Sequence, residues 1–113
     1  MRHKPIADKL VTKMLVACQT MRRPRSAEEK RELVEVWANA LSATDYPEDI
    51  YIDALSSWMA EAKAGDNPPY PGDILMHCRR VIERIESDPG RGPKLLEWRE
   101  ARRLERDRRM RPI

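Results

Sequence analysis

Glycine, phenylalanine and cysteine are scarce in this chain of 113 residues, which holds four glycines, no phenylalanine and two cysteines. With so little glycine, and with 36% of residues charged, the composition favours helix over sheet. Cys18 and Cys78 lie far apart and no C-x-x-C is present, so neither a disulfide framework nor a zinc ribbon is expected. His77 and Cys78 are neighbours that point about 100° apart on a helix; a surface His77 and a buried Cys78 are expected, with no metal. No apolar run approaches the roughly 20 residues of a membrane span. The opening Met1-Arg2-His3-Lys4 runs into Asp8, Lys9 and Lys13 rather than an apolar stretch, so no secretory signal is read and a reducing cytoplasm is the expected compartment. Neither G-x-x-x-x-G-K-[ST] nor G-x-G-x-x-G occurs, and no nucleophile stands with a base. The expectation is a protein without enzymatic activity or cofactor.

Charge is unevenly spread. Residues 1–30 carry eight Lys and Arg against three acids, residues 31–90 five against twelve, and residues 91–113 nine against four. A basic start and end flanking an acidic middle can fold back on one another or offer different partners different surfaces.

Apolar spacing predicts helices. Ile6, Leu10, Met14, Ala17, Cys18 and Met21 mark one face of a first helix, with Pro5 in its first turn and Pro24 closing the segment. Ser26-Ala27-Glu28-Glu29 has capping-box form, with Glu29 reaching back to the Ser26 amide, and starts a second helix. Its inward face is Leu33, Trp37, Ala40 and Leu41, widened by Val34 and Val36. Asp45-Tyr46-Pro47-Glu48 caps a third helix that presents Ile50, Tyr51, Ala54, Leu55, Trp58, Met59 and Ala62 and stops near Gly65. Asp66 to Pro71 holds three prolines in four positions and is a stiff loop. Gly72-Asp73 launches a fourth helix with Ile74, Leu75, Cys78, Val81, Ile82 and Ile85 inside.

The expected architecture is therefore all-α: a compact four-helix domain over residues 1–88 with a Pro-rich loop before the fourth helix, a Pro/Gly linker at 89–93, and a basic, helix-capable tail at 94–113. The tail has few apolar residues and is not expected to pack firmly on the core. Trp37 and Trp58 are read as core. The acidic cluster Asp45, Glu48, Asp49 and Asp53 either favours the positive end of the third helix or forms a docking surface for a basic partner or for the chain's own tail. In the tail, Trp98 stands among arginines, a composition of interface hot spots and equally of single-strand nucleic-acid binding; the alternative is a solvated helix with pairs such as Glu105 and Arg109. The candidate partner-binding residues are Leu95, Trp98, Arg99, Arg102, Arg103, Arg106 and Arg109.

Three blocks, Trp37-x-x-x-Leu41, Ala54-x-x-x-Trp58 and Tyr70-Pro71-Gly72-Asp73-Ile74-Leu75, share a helix-turn plan across about residues 6–85. In Trp37, Leu41, Ala54, Trp58, Pro71, Asp73 and Ile74 the chain resembles the phage helicase loader and inhibitor family of small all-α proteins. It departs from them in a longer loop at Gly65 to Pro69, in Tyr70, and in its Arg-rich end. The resemblance implies a DNA-replication accessory protein of a bacteriophage that binds a DnaB-like hexameric replicative helicase, loads it at the origin with an origin-binding protein, and restrains its ATPase and unwinding. It also implies that Lys94 to Arg109 make the helicase contact, since a flexible C-terminal part does so in that family. Two other readings stand beside it. One is a nucleic-acid-binding accessory protein whose Arg-rich segment contacts single-stranded DNA, weakened by the interspersed Glu97, Glu100, Glu105 and Asp107. The other is a phage inhibitor of a host protein. A recognition helix for duplex DNA is disfavoured because the third helix is acidic.

Overall fold

A computed structural model describes residues 3–18, 20–63 and 66–110. Among them the regular elements are five α-helices and no strand: α1 (His3–Ala17), α2 (Ala27–Leu41), α3 (Glu48–Glu61), α4 (Pro71–Glu86) and α5 (Arg91–Met110). The all-α class holds, with one helix more than the expected four. α1 packs on α2 and α3 on α4, contacts of α1 with α3 and of α2 with α4 join the two pairs, and α5 lies against α4.

Local chemistry sets the helix starts. The Ser26 hydroxyl accepts from the Glu29 amide at 3.1 Å, while the Glu29 carboxylate takes the Arg25 amide at 2.7 Å rather than that of Ser26. Pro47, not Asp45, occupies the cap position of α3 and makes no side-chain cap bond; Asp45 is drawn instead to Arg102 of α5. α3 ends at Glu61, and the expected stop at Gly65 lies outside the described residues. Pro71 opens α4, where the Tyr70 amide donates to the Asp73 carboxylate at 2.8 Å.

Ile6, Leu10, Val11 and Met14 of α1, Val34, Trp37, Ala38 and Leu41 of α2, Ile50, Tyr51, Ala54 and Leu55 of α3, and the 74, 78, 81, 82 and 85 positions of α4 make one core. Trp37 is buried and Trp58 is packed against this core from its edge. Two expectations need correction. Val36 does not widen the inner face of α2: it is 61% exposed, because Ala38 rather than 36 completes the stripe. His77 is not a surface residue but only 2% exposed, since it falls within the stripe that begins at Ile74 and continues through Val81 on α4.

The α2–α3 turn is closed by a relay through Tyr51. Thr44 Oγ1 donates to the Leu41 carbonyl at 3.0 Å, so it accepts from the Tyr51 hydroxyl at 2.9 Å, and that hydroxyl in turn accepts from the Tyr46 amide at 3.2 Å. The ring of Tyr51 is wholly buried against Tyr46 and His3.

Candidate functional site

The segment nominated for partner binding lies in α5, which begins after a four-residue connection, 87–90, from α4. Asp88 Oδ1 accepts from the amides of Gly90 and Arg91 at 2.8 and 3.2 Å, satisfying donors at the start of α5. Those two hydrogen bonds, chiefly that of Gly90, hold the Asp88 carboxyl below its ordinary range. Gly92 follows, and a Cβ placed there would lie 3.2 Å from the backbone oxygens of Ile85 and Glu86. Positions 89–93 are therefore not a spacer. Asp88 to Gly90 make a tight turn, and Gly92 and Pro93 belong to the first turn of α5, where the missing side chain lets two backbones approach.

α5 docks through one face. Leu95, 5% exposed, is its buried apolar side chain among the described residues and joins the main core. Leu95 and half-buried Trp98 wall a cleft of about 220 Å³ whose other sides are Pro47, Asp49, Ile50, Ile85, Arg91 and Lys94. One turn on, the guanidinium of Arg102 sits 5.8 Å from the centre of the Trp98 ring, with its Nε donating to Asp45 at 2.8 Å and its Nη1 to Glu105 at 2.7 Å. The Asp45 bond raises the Arg102 guanidinium above its ordinary range. Arg91 reaches Asp53 at 3.3 Å and Asp49 at 3.7 Å, and Arg99 reaches Glu86 at 2.8 Å. The acidic cluster before and along α3 is thus a seat for the chain's own arginines, with Glu48 held by Lys9 at 2.8 Å. The expectation that the tail would not pack firmly is corrected: the helical spacing of Leu95, Trp98 and Arg102 gives it an inner face.

Of the seven nominated residues, Leu95, Trp98 and Arg102 come together on that inner face, and Arg99 faces α4. Arg103, Arg106 and Arg109 are exposed, with Arg103 paired to Glu100 and Arg109 to Glu105 along the helix itself. Leu96 and Leu104 are at least half exposed on the outward side. A helix of 20 residues is about 30 Å long. Because α5 packs on one side of the bundle, with its backbone closest to α4, the radius of gyration of 15.8 Å exceeds the roughly 13 Å of a compact chain of this length.

A second polar cluster joins α3 to α4. His77 Nδ1 lies 3.0 Å from Ser57 Oγ and its Nε2 3.7 Å from Glu61, which also accepts from Arg80. The order serine, histidine, carboxylate resembles a hydrolytic triad. Ser57, however, is within α3, where the neighbouring amides are committed to the helix and cannot act as preorganised oxyanion donors. The cluster satisfies a buried imidazole and links two helices. Sequence reasoning missed it because Ser57 and Glu61, one turn apart on α3, meet a histidine 20 and 16 positions away on α4. Among the described residues no three His, Cys, Asp or Glu side chains gather as a metal ion requires, and no helix is long and apolar enough to cross a membrane. Comparison of the chain with protein-family models, with curated proteins and with solved structures yields no match.

Proposed function

We propose that this chain is a non-enzymatic replication accessory protein of a phage that works by binding in the host cytoplasm, with a hexameric replicative helicase as partner and α5 as the contacting element. The observation that carries this reading is the lopsided attachment of α5. Leu95 anchors its first half, while the half beyond Arg102 is exposed and offers Leu104 among Arg103, Arg106, Arg108 and Arg109. Burying one leucine is worth about 2 kcal/mol, and the partly exposed ion pairs add at most about 1 kcal/mol each. Such a helix is held firmly enough to be ordered and loosely enough to be taken up by a larger apolar groove. Loading the helicase, with or without an origin-binding protein, and restraining its ATPase are two outcomes of the same contact.

The test is co-purification of the full chain, and of a form ending at Asp88, with a hexameric helicase, together with the helicase ATPase rate. Retention of the full chain but not the shortened form, with a changed ATPase rate, is expected. Retention of both forms alike would remove α5 from the contact, and retention of neither would remove the helicase. Capture of a different host protein through α5 would favour the inhibitor reading instead.

A further inference from the structure

The arginines of α5 are largely spent inside the molecule. Arg91 and Arg102 are bound to carboxylates of α3 and the turn before it, Arg99 to α4, and Arg103 and Arg109 to their own helix. The opposite holds in the segment between α1 and α2. Arg22, Arg23 and Arg25 are all exposed, and among the described residues none of their guanidinium groups has a carboxylate within ion-pair distance. From this we infer that the α1–α2 loop, not α5, is a binding surface for the phosphate backbone of single-stranded nucleic acid.

Three features support that ligand. The cations are arginines, whose planar fork suits phosphate oxygens. Their presentation is fixed from both sides: the Met21 amide donates to the Cys18 carbonyl at 3.2 Å, the Arg25 amide to Glu29 at 2.7 Å, and Thr20 Oγ1 to the Asp66 carbonyl at 2.7 Å. Pro24 restricts Arg23 to extended conformations. A preordered loop loses less entropy on binding than a free tail does. The Thr20 bond also draws in the α3–α4 loop, where exposed Lys63 has no carboxylate on its amine among the described residues and where Asp66 spends one oxygen on the Lys63 amide. A single strand suits the loop better than a duplex, because the acidic first turns of α2, with Glu28 and Glu29, and of α3, with Glu48 and Asp49, would repel the broad, rigid phosphate surface of a duplex and offer no basic helix for its groove. A flexible strand can follow the loop and avoid those carboxylates. The inference is independent of the α5 reading, since the two surfaces share no residue.

The experiment is fluorescence anisotropy of a labelled oligothymidylate with the full chain across a salt series. Three phosphates at about 0.7 each give a log–log slope near −2, about a 20-fold loss of affinity between roughly 50 and 200 mM salt. The triple variant R22Q/R23Q/R25Q is expected to weaken binding on the order of tenfold or more at low salt and flatten the slope, while R103Q/R106Q/R108Q changes affinity less than about threefold. R22K/R23K/R25K, which keeps the charge, is expected to keep most of the slope, so a failure to fold is distinguishable from loss of the site. Unchanged affinity in the loop variant, or a loss confined to the α5 variant, would overturn the inference. So would tighter binding to a duplex of the same length, or binding to phosphatidylserine vesicles without binding to the oligonucleotide.

Discussion

Arg102 Nε donates to Asp45 Oδ2 at 2.8 Å across 57 positions of sequence, and this bond ties α5 to the turn that precedes α3. Both side chains are about three-quarters buried, so the bond is worth more than a surface pair, about 1 kcal/mol. Asp45→Ala is expected to loosen α5 by that amount without unfolding the other helices. Hydrogen exchange of the amides of residues 95–102 will speed up and the emission of Trp98 will shift to the red. Added salt will produce a smaller shift of the same sign in the unaltered protein. Exchange rates that do not move in the variant would show that Leu95 and Gly92 hold the helix without help.

Gly92→Ala sets two effects against each other. An alanine in a helix interior gains up to about 1 kcal/mol over glycine, but here the new methyl meets two backbone oxygens at 3.2 Å. The backbone contact is expected to win, because the atoms met are main-chain oxygens rather than the end of a flexible side chain, and the Ile85 carbonyl is held by the Asp88 amide at 2.9 Å. The variant will then have a lower, not a higher, melting temperature and faster exchange in α5.

Tyr51→Phe deletes one oxygen from a buried relay. The Tyr46 amide loses its acceptor and Thr44 Oγ1 its donor, so a loss of about 1–3 kcal/mol is expected in denaturant unfolding. The fold will survive, since the ring remains. No change in the midpoint would mean that water replaces the hydroxyl.

Trp37→Ala and Trp58→Ala separate core from edge. Trp37 is buried and its truncation is expected to cost about 3–5 kcal/mol; Trp58 packs on the core from outside and will cost less. Chemical denaturation of both variants checks the order.

Burial pushes the Cys78 thiol up to about 12 from an ordinary 9.0, and raises that of Cys18 as well. In the unfolded chain Cys78 ionises near its ordinary value, whereas in the folded protein it stays protonated. A raised folded-state pKa gives stability that is complete below about pH 9 and lost as pH rises toward 12. Alkylation at pH 8 is expected to modify Cys18, which is partly exposed, well before Cys78. Equal rates would place Cys78 outside the core.

Much of the four-helix part was readable from the chain. Ser26, Pro47 and Pro71 mark the starts of α2, α3 and α4, and the apolar row of α4 matches its buried face, whereas α1 keeps Ile6, Leu10 and Met14 inside but ends at Ala17, short of Met21 and Pro24. Val34, Trp37 and Leu41 place 38 rather than 36 in the stripe, so the error at Val36 comes from weighing residue type above spacing. His77 was assigned to the surface by residue type although its position lies in the buried row. The inner face of α5 is hard to read because only Leu95 and Trp98 of its apolar residues lie on it, with an arginine completing the row, and because the glycine of a close approach looks the same in sequence as the glycine of a linker. Its seat was half visible, as the acidic cluster at Asp45 to Asp53 was read as a dock for the chain's own tail or for another basic partner. The Ser57, His77 and Glu61 cluster, and the loop arginines that have no carboxylate partner among the described residues, are visible only in three dimensions.

The short turn from Asp88 to Gly90 sets a local concentration. Tethered this closely, the inner face of α5 meets its seat at an effective concentration in the millimolar range or above. Any partner that needs Leu95, Trp98 and Arg102 therefore competes with the chain itself, and its apparent affinity falls by the fraction of molecules in which α5 is undocked. A partner that reads only Leu96, Leu104 and Arg106 meets no such competition. The two faces of one helix thus offer a slow, gated association and a fast, ungated one, and the order in which a partner engages them would decide its rate of capture.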